Sequence, residues 1–165
     1  MKYIIKLLFF SSFLNLSAKT INVCNSCEFY SINKALEYAD KHDSILVQKG
    51  NYKEYNIIVN KPVTILGINF PVIDGELKGE IFTIISDFVN IEGLVIENVG
   101  KSYKEDFAAI RIKRSKNFII QNNIFNKVFF GIYSEKASVG MIYNNTIIGE
   151  AKDEYNSGNG IHLWY

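Results

Sequence analysis

Few residues in this chain carry reactive chemistry: two Cys, two His and two Met among 165 residues. Cys24-Asn25-Ser26-Cys27 has the Cys-x-x-Cys spacing. In an oxidising compartment that spacing closes as a local disulfide, and as free thiolates it suits a soft metal such as Cu(I). No second Cys pair accompanies it. His162 alternates with Ile161 and Leu163, which places it on the outer side of a strand, packed on a neighbouring aromatic such as Trp164. Its sharper reading is a copper ligand or a docking residue. Met141 leads into an apolar strand, as packing or as a soft ligand. Cys24, Cys27, Met141 and His162 are therefore the metal-ligand candidates, with copper as the metal they would take. His42 reads as an exposed residue behind a helix. Neither a His-x-x-x-His nor a Ser–His–Asp pattern can be built, so no catalytic residue is assigned. Gly100-Lys101-Ser102 has the tail of a phosphate loop, but six residues separate it from Gly93 where four are needed.

What positions these residues is written in the composition. The chain holds 25 Ile and 18 Asn against 7 Ala and 2 Pro, a balance that favours strands over helices and tight turns over long loops. Apolar residues make up 48% and charged residues 21%, which excludes a disordered chain. The net charge of +1 gives no reason to expect a nucleic-acid partner.

Residues 1–18, MKYIIKLLFFSSFLNLSA, have the layout of a secretory signal peptide: Lys2 and Lys6, an apolar run over 7–16, then Ser17-Ala18 as a small-residue cleavage site. Periplasmic export is the expectation, with Lys19 as the mature N-terminus. Residues 19–44 form an N-terminal segment holding the Cys pair and one helix. Ile32, Ala35, Leu36 and Ala39 fall at helical spacing behind Ser31 as a cap.

From residue 45 to 165 the chain repeats. Ile91, Ile120 and Ile142 head matching segments at offsets of 29 and 22. Ala109-Ile110, Gly131-Ile132 and Gly160-Ile161 match at offsets of 22 and 29. The basic period is 22, and the same seven-residue insertion lies within 100–107 and again within 150–159. This predicts an all-β fold, a right-handed single-stranded parallel β-helix of about six turns, with the 31–39 helix capping its N-terminal end. Ile91, Ile120 and Ile142 point inward. Asn123 and Asn145 stack as a structural ladder inside a bend, their amides bonded along the axis. Arg111, Tyr133 and His162 share one outward row without a carboxylate pair. The insertions carry Lys101, Tyr103, Lys104, Glu105 and Asp106, then Lys152, Asp153, Glu154 and Tyr155. Both lie on one edge, where a partner would bind. The last strand has no neighbour after it, so the rod reads as the N-terminal piece of a longer one.

Several stretches together resemble the N-terminal part of the NosD family: Ala35-Leu36-x-x-Ala39, Asp43-Ser44-Ile45-Leu46-Val47, Gly50-Asn51-Tyr52, Lys61-Pro62-Val63-Thr64-Ile65-Leu66-Gly67, Val72-Ile73-Asp74-Gly75, and Gly158-Asn159-Gly160-Ile161-His162-Leu163-Trp164. His42 stands where that family has Gly before the Asp. The resemblance implies a periplasmic, non-enzymatic accessory protein. Its role would be in assembling the copper–sulfide centre of nitrous oxide reductase. Its partners would be the apo reductase and an ABC-type permease and ATPase in the inner membrane. The alternative is a secreted carbohydrate-binding or carbohydrate-active β-helix protein, of the lyase or hydrolase type.

Overall fold

The computed structural model describes residues 18–102, 104–149 and 158–165. The signal peptide assigned to 1–18 thus falls, up to residue 17, outside the described residues, as do Tyr103 and most of the second insertion, including Lys152, Asp153, Glu154 and Tyr155.

Three parallel sheets run the length of the molecule. The first stacks β1 (Thr20–Val23), β2 (Ser44–Val47), β5 (Thr64–Gly67), β8 (Asn90–Glu92), β11 (Ile119–Gln121) and β14 (Met141–Tyr143). The second stacks β3 (Asn51–Lys53), β6 (Val72–Asp74), β9 (Val95–Glu97), β12 (Ile124–Val128) and β15 (Thr146–Gly149). The third stacks β4 (Ile57–Val59), β7 (Phe82–Ile84), β10 (Ala108–Lys113), β13 (Phe130–Glu135) and β16 (Ile161–Trp164). From β2 onward the chain visits the sheets in rotation, so each turn contributes one strand to each. This is a parallel β-solenoid.

It has five complete turns rather than six. In what would be the first turn only β1 is a strand. The rest of that turn is taken by the Cys24–Cys27 loop and by α1 (Ile32–Tyr38). Ser31 caps α1 by accepting from the Lys34 amide at 3.3 Å. The Glu54 carboxylate accepts from the Ile32 and Asn33 amides at 2.7 and 3.0 Å. At the other end Lys61 donates to the carbonyls of Leu36 and Ala39 at 2.9 and 2.7 Å, satisfying groups a helix end leaves open. Ile32, Ala35 and Leu36 are buried on the face that meets β1, β2 and β4.

Residues at the same offset in each turn form inward rows. Ile45, Ile65, Ile91, Ile120 and Ile142 are in register across the first sheet. Tyr52, Ile73, Ile96, Phe125 and Ile147 are so across the second. Ile57, Phe82, Ile110, Ile132 and Ile161 are so across the third. Each fully buried Ile contributes about 1.5–3 kcal/mol relative to exposure.

The abundance of Asn has two causes. Six Asn (56, 69, 98, 117, 122 and 144) hold positive φ at the bends, a conformation Asn tolerates better than most residues. Gly93, at φ 73°, fills the same bend position as Asn122 and Asn144. The second cause is the residue that follows. Asn123 Nδ2 donates to the Ile91 carbonyl at 3.0 Å, and its Oδ1 accepts from the Leu94 amide at 3.0 Å. One turn on, Asn145 Nδ2 donates to the Ile120 carbonyl at 2.8 Å and its Oδ1 accepts from Asn123 Nδ2 at 3.1 Å. Each side chain thus pairs the backbone groups that the bend takes out of the sheet ladder.

Candidate functional site

The outer face of the third sheet carries the densest group of functional side chains. Strand alternation sends Ile110 and Ile112 into the core and Arg111 outward. Register then aligns Thr83, Arg111, Tyr133 and His162 in one row across four strands. The Arg111 guanidinium lies over the Tyr133 ring, 4.3 Å from its centroid. The His162 ring stacks on Tyr133 at 4.7 Å and 30°. Asn159 Nδ2 lies 2.9 Å from His162 Nδ1. Phe130 stands edge-on to both Tyr133 and His162, at 5.6 and 5.7 Å. The aromatic packed against His162 is thus Tyr133 one turn back, not its chain neighbour Trp164.

One carboxylate, that of Glu80, reaches the row from the turn before β7. Glu80 Oε2 accepts from Arg111 Nε at 2.5 Å, and its Oε1 accepts from Thr83 Oγ1 at 2.6 Å. Arg111 also donates to the Asp106 carbonyl in the first insertion. The side chains of Glu80 and Arg111 are 10% and 12% exposed, so this ion pair is nearly buried. Ala108, fully buried at the start of β10, packs with Phe130 and Tyr133 at the base of this face.

Glycine matters at the entry to this face. A Cβ on Gly131 would stand 2.6 Å from the Gly160 carbonyl oxygen of the next turn. A side chain there would disturb the β13–β16 pairing that sets His162 beside Tyr133. The insertion at 100–107 leads directly into β10, and Gly158 and Asn159 lead into β16 two strands further along.

The proposed metal ligands are not brought together. Cys24 and Cys27 form a disulfide beyond β1, at one edge of the first sheet. With their sulfurs joined, neither is a thiolate donor. Met141 is exposed on β14, five strand spacings or about 24 Å away. His162 faces out of the third sheet instead. Among the described residues no three His, Cys, Asp or Glu side chains converge as a metal site. The donor set therefore does not fit copper, and no copper step is routed through it.

No family model matches the chain. No curated protein and no solved structure matches it either. Among the described residues no helix is long and apolar enough to cross a membrane.

Proposed function

We propose that this chain is a docking rod of the NosD type: an exported accessory protein that holds apo nitrous oxide reductase, and a membrane transporter, during copper-centre assembly. The observation that carries this reading is the outer face of the third sheet. It carries a stack of buried Phe130 and Tyr133 with His162, flanked by exposed Phe129 and Trp164, on a backbone fixed by parallel pairing. Aromatic residues and Arg are the types enriched at protein interfaces, and a rigid band binds with little ordering cost. Phe129 and Trp164 are exposed at its edges, at 39% and 56%.

The same face argues against chemistry on a substrate. Both Glu80 oxygens already accept hydrogen bonds from neighbours in the row. A general base needs an accessible lone pair. For the carbohydrate reading the central ring of the row is closed: both faces of Tyr133 are covered, one by Arg111 and the other by His162, which leaves Phe129 and Trp164 as the exposed rings.

The test is direct binding. The exported protein is immobilised, and apo reductase is passed over it alongside its Phe129→Ala/Trp164→Ala variant. Binding that weakens at least tenfold in the variant supports the reading. Equal binding by both forms places the dock elsewhere, and turnover or retention of an acidic polysaccharide by the protein moves the function to the carbohydrate alternative.

A further inference from the structure

The buried carboxylate of Asp43 lies at the start of the described chain, in the turn between α1 and β2, and is 1% exposed. Its Oδ1 accepts from the Lys19 backbone nitrogen at 2.8 Å, and its Oδ2 accepts from the Asp40 amide at 2.7 Å. The Lys19 Nζ stands further off, 3.6 Å from Oδ2, and is drawn to the exposed Asp40 carboxylate at 2.9 Å. Lys19 itself is fixed in place, because its carbonyl accepts from the Ser44 amide at 3.0 Å as β1 pairs with β2. A buried negative charge is thus served mainly by two neutral amides, and one of them belongs to the residue that follows the small-residue cleavage site at Ser17-Ala18.

We propose that leader removal after Ala18 turns this hydrogen bond into a buried ion pair, with the new α-ammonium of Lys19 seated on Asp43. The inference goes beyond the docking role and rests on the signal-peptide reading alone. In the cleavage, water adds across the Ala18–Lys19 amide. The hydroxyl goes to the Ala18 carbonyl, which leaves as a carboxylate, and the hydrogen goes to the Lys19 nitrogen. The amine takes up a further proton at neutral pH. The nitrogen needs no movement to reach Asp43, since it is already at hydrogen-bond distance. What changes is its charge. A neutral amide donor becomes a cation, and charge-assisted hydrogen bonds are roughly twice as strong as neutral ones. Processing therefore tightens the joint between β1 and the turn that starts β2, the first rung on which the later turns stack.

The direction of the Asp43 titration is consistent with this geometry. Burial pushes the carboxyl up, but the Lys19 and Asp40 amides and the Lys19 side chain together hold it below the ordinary carboxylate range. The charged groups around it are few. On its own turn they are Asp40, Lys41 and His42. From β1 there is Lys19, whose Nζ also lies over the Tyr38 ring of α1 at 4.2 Å. Lys61, on the turn before β5, is committed to the carbonyls at the end of α1.

The sign follows from linkage. An α-amino group has an unfolded value of about 7.7–8.0, and pairing with Asp43 raises the folded one. Its stabilisation is full below pH of about 7.7 and is lost as pH rises through the higher, folded value. The experiment compares two forms of the exported protein, one starting at Lys19 and one with a single Gly ahead of it, which restores the amide. N-terminal sequencing of the natural export product comes first and must read Lys19. The Lys19 form is then expected to melt about 3–6 °C higher at pH 6.5. The gap should close above pH of about 9.5, and Asp43→Asn should remove it at every pH. If the Asn variant does not fold, the pH dependence of the first pair still decides. A natural N-terminus other than Lys19, or equal melting of the two forms at pH 6.5, overturns the proposal.

Discussion

Arg111 and Tyr133 stand 22 residues apart in the chain and face to face in space, with the guanidinium carbon 4.3 Å from the ring centroid. One turn of the solenoid separates them, so the period that builds the core also builds the outer row. Arg111 is held from the other side by Glu80, and Tyr133 is closed from the other side by His162. The face is therefore one continuous stack rather than four separate contacts.

Removing one end of its ion pair should be costly. Glu80→Ala leaves the Arg111 charge nearly buried without its carboxylate, and the expected loss is about 3–5 kcal/mol in urea unfolding. Replacing both partners, as in Glu80→Leu/Arg111→Met, should recover most of that loss, because desolvation of two charges is then avoided. A double variant as unstable as the single one would mean that the pair itself, and not the orphaned charge, carries the energy.

The Asn ladder gives a graded pair. Asn123→Ala strands the Ile91 carbonyl and the Leu94 amide in the interior and should cost about 2–4 kcal/mol. Asn145→Ala affects a half-exposed bend at the last turn and should cost about 1–2 kcal/mol. Chemical denaturation checks both values, and the reverse order would remove the ladder as a stabilising device.

His42 is exposed and sits at φ 71°, in the left-handed region. That conformation costs an ordinary residue about 1–2 kcal/mol, while Gly gives back about 0.5–1 in unfolded-chain entropy. His42→Gly should therefore stabilise the protein by about 0.5–1 kcal/mol, and His42→Ala should not. Thermal melts of the two variants distinguish strain from side-chain loss.

What the sequence made legible follows from the period. Ile91, Ile120 and Ile142 recur at offsets that only a stacked repeat explains, and they fall in register as one inward row. Arg111, Tyr133 and His162 follow from the same offsets. Glu80 was not legible. It lies outside its strand, two residues before β7, and joins the row through its hydrogen bonds to Thr83 and Arg111. Asp43 and Lys19 were hidden for another reason. Their contact joins the start of the first strand to a turn beyond the helix, and it belongs to no repeat. The turn count was overestimated because α1 and the Cys loop fill a turn's length of chain without supplying its second and third strands.

The docking account stands or falls on maturation in cells. Strains would carry the natural gene, a version lacking residues 100–107 and 150–159, and the Phe129→Ala/Trp164→Ala variant, with export and folding of each checked by recovery of soluble protein. The copper–sulfide centre of the reductase is then read from its visible absorption and activity. The account predicts a full centre with the natural gene and a large loss with either altered form at equal protein levels. A full centre in the strain that lacks both insertions and in the strain with the altered aromatic band would contradict it.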